Sequence, residues 1–140
     1  MNTFGVAVKG LVVKDNRLLV LYKTKVEAAM DADPNRHLDL PGGRVKFGEA
    51  PVDALAREIT EETGLVVRIG GLHDVWHTLK DNFQLVGITF LCEWVSDTVK
   101  LSDEHTHYAW LNREEIQELP LTPSEKAAYL AALDQHTTGS

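Results

Sequence analysis

The chain has 140 residues, of which 44% are apolar and 25% charged, and its formal net charge is −7. That length and balance fit one ordinary globular domain, and a single cysteine, Cys92, excludes an internal disulfide and a CxxC metal site. The acidic balance disfavours a duplex nucleic acid or anionic-membrane surface, which needs Lys and Arg, but not a small phosphorylated ligand held through a divalent cation.

A reducing, cytoplasmic setting is expected from the cysteine usage. The opening "MNTFGVAVKG" has no basic n-region and no separate apolar h-region, so no signal peptide is expected. No apolar run approaches the roughly 18 residues of a membrane helix.

In chain order, Phe4–Val13 and Arg17–Lys23 are rich in β-branched and large apolar residues, and "KDN" between them predicts a hairpin. Thr24–His37 reads mostly as loop with a turn at "DPN", although "KVEAAM" suits a helical turn. A short strand at Leu38–Leu40 runs into the Gly-rich stretch "PGG". Pro51–Thr63 reads as a helix, with Pro in the first turn, a stripe of Val52, Leu55, Ala56, Ile59 and Thr63, and Gly64 as its C′ cap. Strands are expected at Val66–Ile69, Leu72–Thr78, Gln84–Trp94 and His107–Leu111, with turns at Gly70–Gly71 and Lys80–Asn82. "NREEIQEL" predicts a short helix capped by its Asn. "TPSEKAAYLAALDQH" predicts a final helix with Ala128, Leu130, Ala131 and Leu133 inward, and "TTGS" a frayed tail. This order suggests a mixed sheet with helices on its faces.

The central helix gathers Glu58, Glu61 and Glu62 in "REITEETG". Like charges at helical spacing repel by tenths of a kcal/mol per pair, and such a face is ordinarily just solvated. Here it follows "LPGGRVKFGE", whose Gly42, Gly43 and Gly48 allow sharp turns and close backbone approach. Glu49 lies eight residues before Arg57 and is placed to pair with it. Carboxylates beside a tight backbone loop are the oxygen-rich arrangement that captures a hard divalent cation.

The segment Gly43–Leu65, "GRVKFGEAPVDALAREITEETGL", resembles the Nudix box, G-x5-E-x7-R-E-U-x-E-E-x-G-U with U a bulky aliphatic residue. Gly43, Glu49, Arg57, Glu58, Ile59, Glu61, Glu62, Gly64 and Leu65 fill its nine specified positions. The flanking strands, "LPGG" and "DEHTHYAWLNREEI" also look like a Nudix domain, so the resemblance covers residues 1–140, with the box at 43–65. It implies an α/β fold (α+β): an α/β/α sandwich with a mixed β-sheet and a loop–helix–loop catalytic segment. It implies a MutT-like pyrophosphohydrolase that uses Mg²⁺, or Mn²⁺, to hydrolyse a nucleoside diphosphate linked to another group.

Carried over by position, the resemblance makes Glu61 and Glu62 the main metal ligands. Glu58 is a ligand or a base, and Gly42 offers its carbonyl to the metal. Glu49 and Arg57 are the structural pair. Glu104, six residues before Trp110, is a second candidate base, equally readable as an exposed loop acid. Three residues before the Trp, where a further acid often sits, this chain has His107.

Other residues have a bland and a functional reading. Arg36, His37, Arg44 and Lys46 flank the Gly-rich loop and suit pyrophosphate contacts or simple solvation. Trp76 and Phe83 suit base stacking, and His73 and His77 phosphate contact, but half-buried strands carry such residues routinely. Cys92 and Trp110 read as packing residues.

The box speaks to chemistry and not to substrate. No proline lies near Lys80, where ADP-ribose hydrolases of the family tend to carry one, and the tyrosine of dinucleoside polyphosphate hydrolases is missing. A nucleoside triphosphate, including a damaged dNTP, or a nucleotide sugar stays open. The rivals are a Nudix-fold binding module without turnover and a messenger-RNA decapping enzyme. Stable nucleic-acid and membrane binding are not expected, and a homodimer is, although no residue argues it.

Overall fold

The computed structural model describes residues 1–29 and 37–138, with side chains to 135. Arg36 and the "DPN" turn lie outside the described residues.

Strands β1 (Thr3–Lys14) and β2 (Arg17–Lys23) form the expected hairpin. Its two turn residues, Asp15 and Asn16, both take positive φ (51° and 60°). That geometry matches strand twist, and Asp and Asn tolerate it. The single-turn helix α1 (Lys25–Ala29) realises the "KVEAAM" turn. Then come β3 (Leu38–Asp39), β4 (Gly42–Arg44) and the helix α2 (Pro51–Thr63). Strands β5 (Val66–Lys80), β6 (Phe83–Ser96) and β7 (His105–Leu111) precede α3 (Arg113–Gln117) and α4 (Pro123–Thr138).

The strands form one mixed sheet in the order β3-β2-β1-β6-β5, with β4 also pairing β1 and β7 also pairing β2. Among the described residues only β1 and β6 run parallel, from Thr3↔Phe83 to Val13↔Glu93. Side-chain alternation along β1 and β2 sorts the core into two layers. Val8, Val12, Leu19 and Leu21 pack with Ala54, Leu55 and Ile59 of α2. Leu11, Val13, Leu18 and Val20 pack with Ile116 of α3 and with Tyr129, Ala132 and Leu133 of α4. The central strands are therefore apolar on both faces, as a sheet covered by helices on both sides requires. This is the expected α/β/α sandwich. Among the described residues no helix is long and apolar enough to cross a membrane.

Several local expectations change. Gly70–Gly71 is not a turn between two strands. It lies inside the continuous β5, where the register with β6 slips between Ile69 and Leu72. Glycines inside a strand mark such irregularities, and a Cβ on Gly70 would stand 3.0 Å from the Leu91 carbonyl oxygen. The "GGR" after Pro41 is likewise a short strand, paired with Ala7–Lys9, and not loop alone. On α2, Val52 and Ala56 are exposed, while Ala54 and Glu62 are buried with Leu55, Ile59 and Thr63. The inward face is rotated from the expected stripe, with Ala54 packed on the sheet and Glu62 meeting a backbone donor inside the fold. On α4, Tyr129, Ala132 and Leu133 are the buried residues, and the helix runs on to Thr138, past the expected start of the tail.

Helix ends behave as expected. Gly64 is left-handed (φ 72°) and its N–H donates to the Thr60 carbonyl. Asn112 and Glu115 form a reciprocal capping box on α3.

Candidate active site

The site lies where α2, β3, β4 and the start of β7 meet beside a cleft of about 740 Å³. Its scaffold is Arg57. Nε and Nη2 donate to the two oxygens of Glu49 (2.8 and 3.0 Å), Nη1 donates to Glu58 (2.9 Å) and Glu61 (3.3 Å), and Nη2 also reaches the Arg44 carbonyl (3.2 Å). One planar guanidinium thus pins the loop before α2 and offsets the repulsion among three carboxylates. The Arg57 hydrogen bonds, with the Lys46 N–H, hold the Glu49 carboxyl down at about 2. Contact with Glu49 and Glu58 in turn raises the Arg57 guanidinium above its usual value.

Two glycines make room for the carboxylates. A Cβ on Gly43 would stand 2.4 Å from the Glu58 carboxyl carbon, so the Glu58 head packs where a side chain would otherwise be. Gly42 has φ 150°, and a Cβ there would meet the Val8 carbonyl oxygen. Its N–H donates to Glu62 Oε1 at 2.7 Å.

The three glutamates of the motif therefore diverge. Glu61 is exposed and turns to Arg57, Glu58 is part-buried between Arg57 and Gly43, and Glu62 is buried. Burial pushes the Glu62 carboxyl up to about 8, with Asp39 and Glu104 adding to the rise and Lys9 and the Gly42 N–H opposing it. Glu62 and Glu104 both line the cleft. Among the described residues, the group of three or more potential ligands with their atoms within 4.8 Å of one another is Glu62, Glu104 and His105.

Behind Glu62 lies a polar cluster that the sequence reading did not single out. Asp39 Oδ1 accepts from Lys9 Nζ (2.8 Å) and from the Leu40 N–H (2.9 Å), and Oδ2 lies 3.0 Å from His105 Nε2. Burial opposes ionisation of Asp39, but Lys9 and the His105 contact outweigh it and leave the carboxyl well below the usual range. The one local signal was an acid between two core leucines in "LDL". The partners lie 30 and 66 residues away in sequence.

Trp76 stands in the cleft wall. Its ring lies over Gly87, and its Nε1 donates to Thr89 Oγ1 at 2.9 Å. Arg44 also borders the cleft, with its guanidinium 4.8 Å from the centre of the Phe83 ring. Phe83, Lys46 and His37 are not among the cleft-lining residues; Phe83 supports Arg44, and the other two are exposed. His77 borders the cleft with Nδ1 2.9 Å from Gln84 Nε2, while His73 does not. His107 stacks on Tyr22, centroids 4.1 Å apart. Trp110 packs against the α2-side core. Cys92 is buried, its thiol pushed up to about 12 by burial, which suits a core residue and not a nucleophile.

A carboxylate-bearing helix behind a glycine-built strand, opening on one cleft of an α/β/α sandwich, is the arrangement that the resemblance to the Nudix box implies. The NUDIX domain family model matches residues 3–133, and the chain belongs to this family. It is 33% identical over 115 residues to a MutT-like protein of Streptomyces ambofaciens, covering 81% of this chain and 68% of that one. It is 30% identical over 103 residues to an ADP-ribose pyrophosphatase of Methanocaldococcus jannaschii, covering 71% of this chain and 57% of that one. The crystal structure of a MutT protein from Methanosarcina mazei Go1 superposes with a TM-score of 0.77 at 25% identity, over 97% of this chain and 96% of that one. The protein is thus a Nudix hydrolase, of a family that acts on nucleoside diphosphate derivatives and uses a divalent metal.

Proposed function

We propose that this protein hydrolyses the pyrophosphate linkage of a small nucleotide, a nucleoside triphosphate or a nucleoside diphosphate bearing another group, with Mg²⁺ or Mn²⁺ as cofactor. The observation that carries the reading is Glu62, a buried carboxylate seated on the Gly42 amide, grouped with Glu104 and opening on the cleft. A buried acid in that setting is costly unless a cation completes it. Its donor set is mostly oxygen, as a hard divalent cation requires.

Glu62 and Glu104 would hold the cation, with Glu61 adjacent to Glu62 on α2 and Gly42 hydrogen-bonded to Glu62. When bound, the cation supplies charge neutralisation for the phosphate oxygens and lowers the pKa of an attacking water. The protein's own part is positioning. Arg57 fixes the helix face and hydrogen-bonds Glu58 beside Gly43, Arg44 offers a guanidinium to a phosphate at the cleft edge, and Trp76 offers a ring face to the base. Glu58 takes the proton. In that case Glu58→Gln loses the acidic limb of the rate-versus-pH profile. Glu104→Gln keeps the limb but needs more metal for half-maximal rate. The reverse pattern in the two profiles would exchange the roles.

The relative named as an ADP-ribose pyrophosphatase makes ADP-ribose a substrate to include, although the proline expected near Lys80 for that class is missing. A panel of nucleoside triphosphates, damaged dNTPs, ADP-ribose and nucleotide sugars, run with Mg²⁺ in ¹⁸O-water, tests the proposal. One substrate should turn over with ¹⁸O on a single phosphorus. Tight nucleotide binding with no turnover across the panel would favour a binding module instead.

A further inference from the structure

The Asp39–His105 pair has a geometry that points past oxygen-only coordination. The His105 side chain is only 1% exposed. Asp39, paired with Lys9, lies 3.0 Å from Nε2, and a neutral imidazole that donates from Nε2 to this carboxylate presents Nδ1 as a lone-pair acceptor. Among the described residues, Nδ1 is the buried side-chain nitrogen or oxygen without a hydrogen-bond partner. Its neighbour Glu62 Oε2 is 3.8 Å away, too far for a hydrogen bond. An orphaned buried acceptor is unfavourable, and needs something to fill it. The other Glu62 oxygen is occupied by the Gly42 N–H, so Oε2 and Nδ1 face the same gap. A carboxylate orienting an imidazole so that its second nitrogen meets a metal is a recurring arrangement in metal sites.

We infer that His105 is a metal ligand: Nδ1, Glu62 Oε2 and a Glu104 oxygen together form a site for a divalent first-row transition cation of the Mn²⁺, Co²⁺ or Zn²⁺ type. Bound at roughly 2.1 Å, one cation draws its ligand atoms to about 3.0–3.5 Å from each other. The 3.8 Å gap needs little closure, and Glu104 sits on an exposed segment that can supply the rest. The nitrogen sets the preference: imidazole suits Zn²⁺ and Co²⁺ best, Mn²⁺ accepts it beside oxygen ligands, and Mg²⁺ keeps to oxygen and water. Asp39 is the positioning residue that fixes the ring. The inference rests on the metal-dependent reading above in sharing Glu62 and Glu104, and it adds which cation the site selects.

The test is metal binding without nucleotide. Pulsed electron paramagnetic resonance on the Mn²⁺-loaded wild-type protein should show ¹⁴N coupling from a directly bound imidazole, and His105→Gln should lack it. Mn²⁺ titration should show at least about tenfold weaker binding in His105→Gln, with Mg²⁺ affinity changed less than about threefold. Glu104→Gln, at an exposed position that does not burden folding, should keep the ¹⁴N signal and bind Mn²⁺ several-fold more weakly. Bound Mn²⁺ without ¹⁴N coupling in the wild-type protein overturns the inference, whether or not His105→Gln folds. Unchanged Mn²⁺ affinity in Glu104→Gln overturns the assigned ligand set. In either case, intact Mg²⁺-dependent hydrolysis would leave the proposed function standing.

Discussion

Glu62→Gln is expected to lower turnover by roughly a thousandfold or more, a loss of several kcal/mol of transition-state stabilisation. The same substitution should stabilise the metal-free protein at neutral pH. The two effects share one cause. Glu62 is buried at the centre of the site, and burial holds its carboxyl up to about 8, above the ordinary carboxylate range. In the unfolded chain it ionises near pH 4.5. Below that pH both states are protonated and the residue is neutral to stability. Between pH 4.5 and 8 the unfolded chain releases the proton while the folded chain keeps it, so folded stability falls as pH rises. Above pH 8 both states are ionised and the loss stays constant. Glutamine has the shape of the protonated acid and removes that slope. Thermal melts in EDTA from pH 5 to 8.5 should show the wild-type protein losing stability relative to Glu62→Gln as pH rises. Parallel curves would mean that Glu62 is ionised without strain. Near-normal hydrolysis by the variant would sink the metal assignment.

The features readable in sequence were those carried by short spacings. The turn at Asp15–Asn16, the Gly64 cap and the Asn112 capping box each depend on a few consecutive residues. The Glu49–Arg57 pair was readable because a loop and one helix join them within eight residues. The orientation of α2 was not readable from periodicity, because Val52 and Ala56 look as apolar as Ala54 and Leu55. In the fold Ala54, Leu55 and Ile59 pack on the sheet while Glu62 meets the Gly42 N–H across twenty residues, a contact that a pattern of apolar positions does not contain. The Lys9–Asp39–His105 cluster was out of reach for a similar reason. Its members become neighbours only when β3 and β7 pair with β2 beside β1, and the relevant property of His105 is an unfilled nitrogen, which only the assembled fold reveals. The same assembly separates Glu58 and Glu61 from Glu62, although their spacing placed all three on neighbouring faces of α2.

Gly42→Ala is the substitution with the largest expected effect on stability. Two independent problems meet at this position. The backbone φ of 150° is one that residues with a Cβ rarely adopt, and a strained residue of that kind costs on the order of 1–3 kcal/mol. In addition, the new methyl would collide with the Val8 carbonyl oxygen and crowd Lys9 Cα, both in the central strand. Neither is the end of a flexible side chain, so relief requires β4 to pull away from β1. That movement breaks the Lys9↔Gly42 pairing and withdraws the N–H that holds Glu62 Oε1. A loss of about 4 kcal/mol or more is expected, the range reserved for few substitutions. Gly43→Ala is the informative control. The nearest atoms its methyl meets belong to the Glu58 carboxyl, the end of a flexible side chain, so it should cost less in stability while displacing the Arg57–Glu58 contact. Urea denaturation of both variants separates the cases. A Gly42→Ala protein as stable as Gly43→Ala would show that β4 yields freely, and that the seat of Glu62 does not depend on a residue without a side chain.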